Sequence, residues 1–347
     1  MKDKILRFEI TDRCNMKCKM CWSKEWKHQD LERQKVEKLI YDFKKSGGKT
    51  IVLTSREPLL SSNFKFVVEK CKEEGLDLKI LTNATLITDE IAKYMVESNV
   101  ISFIAISIHG KNEKHDMITG VNGSLKKAIE GIERLNKYRK QKETNFPEIR
   151  LTTVISKQVM NSIDFIIDLA KKYNTQLRIQ HLMWHPNRIK ESHKKLIKEQ
   201  FGIEDEIIDG FESECNIDGS DIVKLVDYVD KKCKIENVDF QIYPKMTKEE
   251  IKKWYDSKCD SVFDNGYCEH VDDSIRVRAN GEVSLCQYID ILFGNVTDKD
   301  LNDIINEKKF IEIGNDLKKG KLFPICNRCC HVESKKVKND EINNLKI

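Results

Sequence analysis

The chain has 347 residues, of which 34% are charged, a net charge of +4 and 12 cysteines. A mean hydropathy of -0.53 and the lack of any long uninterrupted apolar run predict no membrane helix, and the small, evenly spread charge argues against a nucleic-acid surface. The start Met1-Lys2-Asp3-Lys4-Ile5 enters a strand-like run, not a signal-peptide core, so the cysteines are expected to be reduced, metal-binding thiols in the cytoplasm and not a secreted disulfide scaffold.

In chain order, short β-branched or apolar runs fall at 5–10, 50–54, 77–82, 101–108, 149–155 and 176–182. Helical spacing separates them, as in Val36, Leu39, Ile40 and Phe43 before the Gly47-Gly48 stop, or in Leu125, Ala128, Ile129, Ile132 and Leu135. Strands alternating with helices predict an α/β fold with a parallel sheet and right-handed crossovers, with too few units to close an eight-stranded barrel. In such folds chemistry gathers at the C-terminal ends of the strands.

The first such end carries Cys14-Asn15-Met16-Lys17-Cys18-Lys19-Met20-Cys21, followed by Trp22. Three thiolates cannot complete the ligation of a four-iron cluster, so a cubane held by Cys14, Cys18 and Cys21 leaves one iron open to an outside ligand. Structural zinc is the plainer alternative, although it usually takes four ligands and favours CxxC pairs.

Between 186 and 258 the chain is charge-rich and mainly helical in pattern. His181, Met183, Trp184 and His185 crowd the end of the sixth strand; His181 and His185 are candidate bases and Arg178 a candidate anion anchor, against the plainer reading of packed, hydrogen-bonded residues. Further on, Cys268 and Cys286 flank two alternating strands joined at Asn280-Gly281, a hairpin signal, and Cys326 and Cys329 form a CxxC pair. These four can surround one cubane with no open position, or one zinc ion. Cys330 and Cys259 are possible substitutes ranked as spare, while Cys71, Cys215 and Cys233 read as ordinary packed residues.

The CxxxCxxC spacing with its trailing aromatic, set just after the first strand, resembles the signature of the radical S-adenosylmethionine (SAM) superfamily. That resemblance implies a partial (β/α)6 barrel of the TIM type, a 4Fe-4S cluster whose open iron binds SAM, and a 5'-deoxyadenosyl radical that takes hydrogen from a substrate. Thr54-Ser55-Arg56-Glu57-Pro58 resembles the family's Gly-Gly-Glu-Pro segment, with both glycines replaced; Leu81-Thr82-Asn83-Ala84 resembles its Thr-Asn-Gly turn and Ser107-Ile108-His109-Gly110 its Ser-Ile-Asp-Gly segment. Trp22, Glu57, Asn83 and Ser107 are therefore the expected SAM-binding residues. The arginine that often helps hold SAM near His115-Asp116 is missing from Met117-Ile118-Thr119.

The C-terminal cysteines and Phe293-Gly294-Asn295-Val296 resemble the twitch domain, the short form of the SPASM extension, which implies one auxiliary 4Fe-4S cluster on Cys268, Cys286, Cys326 and Cys329. Domain expectations are a barrel core at 1–190, a helical connection at 191–258, and a small twitch or SPASM-like domain with a β-hairpin and helices at 259–347. A fully ligated second cluster suits electron removal from a substrate radical, hence net oxidation of a small polar molecule. The cysteine arrangement is similar to that of the aminocyclitol-oxidising dehydrogenase of butirosin biosynthesis, an analogy of the accessory domain only. Peptide or protein modification is the second reading. It is disfavoured by a chain that begins almost at strand one without a separate leader-binding domain, and, for sulfatase maturation, by Gln287 where those relatives have aspartate. Reduced ferredoxin or flavodoxin is the expected electron donor; an electron carrier or scaffold without SAM chemistry is the non-enzymatic alternative.

Overall fold

A computed structural model describes residues 4–22, 30–272 and 274–334. Seven parallel strands, β1 (Lys4–Phe8), β2 (Gly48–Leu53), β3 (Asp77–Thr82), β4 (Ile101–Ser107), β5 (Glu148–Val154), β6 (Gln176–Gln180) and β7 (Phe240–Tyr243), lie side by side in chain order. The six expected strands are all present. The seventh falls inside 191–258, a region whose pattern is mainly helical; four residues are too short a run to show a period. Helices cross between successive strands, and the result is the partial barrel.

Alternation explains the core. Leu6, Phe8, Ile51, Leu53, Leu78, Ile80, Ile104, Ile106, Leu151, Leu177 and Ile179 are buried from successive strands. They meet the apolar faces of helices such as Arg33–Lys45, which buries Val36, Leu39, Ile40 and Phe43. Local chemistry sets the helix starts: Thr88 accepts from Ile91 N at 3.2 Å ahead of Asp89 and Glu90, and Thr247 with Glu250 closes a capping box on Lys248–Tyr255.

The C-terminal part contains β8 (Gly266–Cys268), β9 (Ser274–Val277), β10 (Glu282–Ser284), β11 (Leu292–Asn295) and β12 (Val332–Ser334). The expected hairpin is β9–β10, turning at Asn280-Gly281 with Gly281 at φ +87°. It is no free-standing module. β9 pairs in parallel with β1, placing Phe8 opposite Val277, so the barrel sheet runs on through β9, β10 and β11 to ten strands. β8 and β12 form a separate antiparallel pair. Arg328, inside the Cys326–Cys329 pair, clamps this part to the barrel: its guanidinium donates to the carbonyls of Trp254 (2.7 Å), Asp256 (2.7 Å) and Cys259 (2.9 Å) and lies 4.6 Å over the Trp184 ring. Among the described residues no helix is long and apolar enough to cross a membrane.

Candidate active site

The loop after β1 is held open at the C-terminal end of the sheet by its backbone. Lys17 N and Lys19 N donate to the carbonyls of Thr119 and Ile118, each at 2.9 Å, docking the loop on the helix Glu113–Thr119. Gly120 permits this approach, since a Cβ there would sit 3.0 Å from the Lys17 carbonyl and φ is +71°. The Cys21 thiol is close enough to raise the proton affinity of both Cys14 and Cys18. Burial pushes Cys14 up to about 11, with Glu57 and Cys21 adding to it, and Cys18 up to about 12, with Cys21 and Cys14 adding to it.

Glu57 stands beside them, fully buried. Its Oε1 accepts from Thr82 Oγ1 at 2.8 Å and Leu59 N at 3.2 Å, and its Oε2 from Asn83 N at 2.8 Å. Burial still raises its carboxyl to about 7 against these three donors. Asn83, expected at SAM, spends its side chain on the cysteine loop, donating to Asn15 Oδ1 at 2.8 Å. Ser107 closes β4 opposite Thr152 and is half-buried. Ser55 and Arg56 replace the expected glycines yet take the glycine conformation, with φ of 60° and 45°.

A second set of thiols gathers where β8, β10 and the turn Pro324–Arg328 meet. Cys326 is raised well above the usual thiol range by burial and by Cys286 and Cys268; Cys268 reaches about 12 through burial and Cys286. Cys330 belongs to this set. Its thiol bonds with that of Cys329, it acts electrostatically on Cys268 and Cys286, and it lies 3.6 Å from the Tyr288 hydroxyl. The structure thus brings five thiols together where the sequence reading counted four. The adjacency of Cys329 and Cys330 was the available signal. Cys259 stays outside, its Sγ donating to Ser261 O at 3.2 Å. Cys71 and Cys233 are buried in helices, and Cys215 lies in the loop before the helix Gly219–Glu236.

The histidines at the end of β6 lie deep in the protein. His181 and His185 are fully buried, and burial lowers each to about 3. His181 Nδ1 meets Tyr255 OH at 3.1 Å, and the His185 ring packs edge-on to Phe211 at 5.1 Å. Rings held neutral at that depth are poor bases at neutral pH. Arg178 donates to Gln241 Oε1 at 3.0 Å and stacks 4.9 Å over Tyr243. Trp22 turns its ring toward the second thiol set, 5.7 Å from Tyr288 and 6.4 Å from Phe211.

One network was not legible beforehand. Arg276 on β9, buried, pairs with Glu9 after β1, donates to Ser55 Oγ at 3.2 Å and bonds Gln287 Oε1, next to Cys286. Its only signal was a charged residue inside a strand pattern.

The donor sets fit iron-sulfur clusters. Each consists of thiols alone, the ligand type such clusters take. A partial barrel with three thiols after its first strand and a second, larger thiol set beside it is the build of an iron-sulfur enzyme. Residues 8–166 match the radical SAM superfamily and residues 268–330 the iron-sulfur cluster-binding domain SPASM, so the chain carries a radical SAM domain and a SPASM domain. With these domains come a SAM-binding 4Fe-4S cluster, S-adenosylmethionine and an auxiliary iron-sulfur cluster.

The tungsten-containing aldehyde ferredoxin oxidoreductase cofactor-modifying protein of Pyrococcus furiosus is 30% identical over 159 residues, 45% of this chain and 44% of that protein. Mycofactocin maturase MftC of Mycolicibacterium smegmatis is 27% identical over 180 residues, 51% of this chain and 44% of that protein. The match thus spans less than half the length of either relative. In fold, the chain superposes on Streptococcus suis SuiB bound to its precursor peptide SuiA with a TM-score of 0.67 at 15% identity, covering 94% of this chain and 71% of SuiB.

Proposed function

We propose that the chain cleaves SAM reductively at a cluster held by Cys14, Cys18 and Cys21 and carries out a net oxidation of a small polar molecule. The observation that carries this reading is the second thiol set, with Cys326, Cys329 and Cys330 buried and Cys268 and Cys286 half-buried, beside Tyr288, whose ring meets Trp22 of the first loop. Cys268, Cys286, Cys326 and Cys329 would hold the auxiliary cluster, with Cys330 a fifth thiol within reach. When bound, the two clusters and SAM supply a hydrogen-abstracting 5'-deoxyadenosyl radical and an acceptor for one electron.

The protein's own residues bind and orient. Glu57, buried and able to carry charge near neutral pH, suits the amino group of SAM. Asn83 and Asn15 fix the cysteine loop against the turn after β3, Ser107 closes the neighbouring β4, and Trp22 follows Cys21 in the cysteine loop. Arg276 ties the Ser55 turn to Gln287 beside Cys286 and so sets the spacing of the two sites. Arg178 is kept as a substrate anchor; His181 and His185 serve as walls, with a proton acceptor role open to them only if burial is relieved. Reduced ferredoxin or flavodoxin would deliver the first electron.

Peptide modification is the second reading, and the MftC relative favours it. Reduced, reconstituted protein should release 5'-deoxyadenosine from SAM slowly without substrate, and Cys18→Ala should not; wild-type protein that neither binds nor cleaves SAM sinks the proposal. Carbinol-deuterated alcohols should pass deuterium to 5'-deoxyadenosine, whereas label arriving only from peptides selects the second reading.

A further inference from the structure

Tyr288 occupies a particular place between the two thiol sets. Its backbone N–H donates to Cys286 Sγ at 3.3 Å, and its hydroxyl lies 3.6 Å from Cys330 Sγ. One residue therefore addresses two sulfurs of the second set, and it is 6% exposed, where water does not compete. Its ring is fixed on three sides: by Phe211 at 5.6 Å, by His331 at 6.1 Å, and edge-on by Trp22 at 5.7 Å. Trp22 is the residue after Cys21, and its backbone is pinned in turn. A Cβ on Gly210 would fall 1.7 Å from the Trp22 carbonyl oxygen, so only glycine lets that segment lie against the loop.

We propose that Tyr288 sets the reduction potential of the auxiliary cluster through its contacts with Cys330 and Cys286, and that Trp22 is the positioning residue that holds Tyr288 there. The cysteine loop of the SAM site would thereby act on a cluster whose thiols it does not touch. The physical basis is charge. A reduced cluster carries one more negative charge than an oxidised one, and hydrogen-bond donors aimed at its ligand sulfurs, as the Tyr288 N–H is at Cys286, or at a thiol packed against them, as the Tyr288 hydroxyl is at Cys330, stabilise that extra charge and raise the potential. Removing the donor, or the ring that aligns it, lowers the potential.

The inference rests on the two-cluster reading, and the experiment separates the two. In a Cys18→Ala background the auxiliary cluster should be the only one left, with about four irons. Its potential is then read by dye-mediated titration followed by electron paramagnetic resonance. Tyr288→Phe should titrate at a lower potential than the background protein, and Trp22→Leu should shift in the same direction by less, with iron content unchanged in both. Background protein that retains no iron overturns the two-cluster reading and this inference with it. Iron retained with the potential unmoved in Tyr288→Phe overturns the inference alone. Should Tyr288→Phe lose its iron, Trp22→Leu decides, because it leaves Tyr288 and every thiol of the second set in place; an unshifted potential there overturns the proposal.

Discussion

Arg276 donates to Ser55 Oγ at 3.2 Å across 221 residues of chain, and the same guanidinium pairs with Glu9. The strand leading toward Cys286 thus grips the turn that leads to Glu57. Arg276 is 3% exposed in its side chain and Glu9 14%, so removing the cation leaves a carboxylate largely out of water. Arg276→Met should cost about 3 kcal/mol, the low end of the range for breaking a buried pair because Glu9 keeps some solvent. Urea unfolding of the apoprotein measures this, and a loss within error of zero would show that the network is ornamental.

A carboxyl raised in the folded state from 4.5 to about 7 binds a proton that the unfolded chain has released. Glu57 therefore contributes stability that is fully present below pH 4.5 and is lost as pH rises toward 7. The stability difference between wild type and Glu57→Gln should accordingly fall by about 2–3 kcal/mol over that window, at up to ~1.4 kcal/mol per pH unit. Denaturant titrations of both apoproteins at several pH values would read it; parallel curves would mean that the three donors keep Glu57 ionised throughout.

Arg56 sits at φ 45° without the freedom of glycine. Arg56→Gly relieves a left-handed conformation worth roughly 1–2 kcal/mol and adds back roughly 0.4–1 kcal/mol of unfolded-state entropy, for a net gain of about 0.5–1 kcal/mol. A rise in the apoprotein melting temperature is the expected outcome, and a fall would show that the Arg56 side chain, not its backbone, dominates.

Iron counting tests the division of the cysteines. Anaerobically reconstituted wild type should hold about eight irons in two cubanes, and Cys268→Ala about four. Cys259→Ala should match wild type, since that thiol is engaged with Ser261 O and lies outside the second set. Iron lost on removing Cys259 would move it into the ligand set.

Much of the fold was visible in local pattern. Strand and helix periods, the Asn280-Gly281 turn and the spacing of Cys14, Cys18 and Cys21 are properties of neighbours in sequence, and they appear where expected. β7 escaped because Phe240–Tyr243 is short, and the β9–β1 pairing escaped because nothing in either segment names its partner. His181 and His185 cluster at a strand end in the sequence; their full burial is a matter of depth inside the protein, which no local pattern encodes.

The sequence by itself determined the chemistry class, because a three-cysteine motif and a later cysteine group specify donor type and number whatever lies between them. Only the tertiary structure decided how the donors are shared and supported: that Cys330 joins the second set, that Arg276 spans the two sites, and that Trp22 meets Tyr288. Each of these is a contact between segments far apart in the chain. Such contacts arise from burial and strand pairing summed over the whole fold, so no short stretch of sequence contains them.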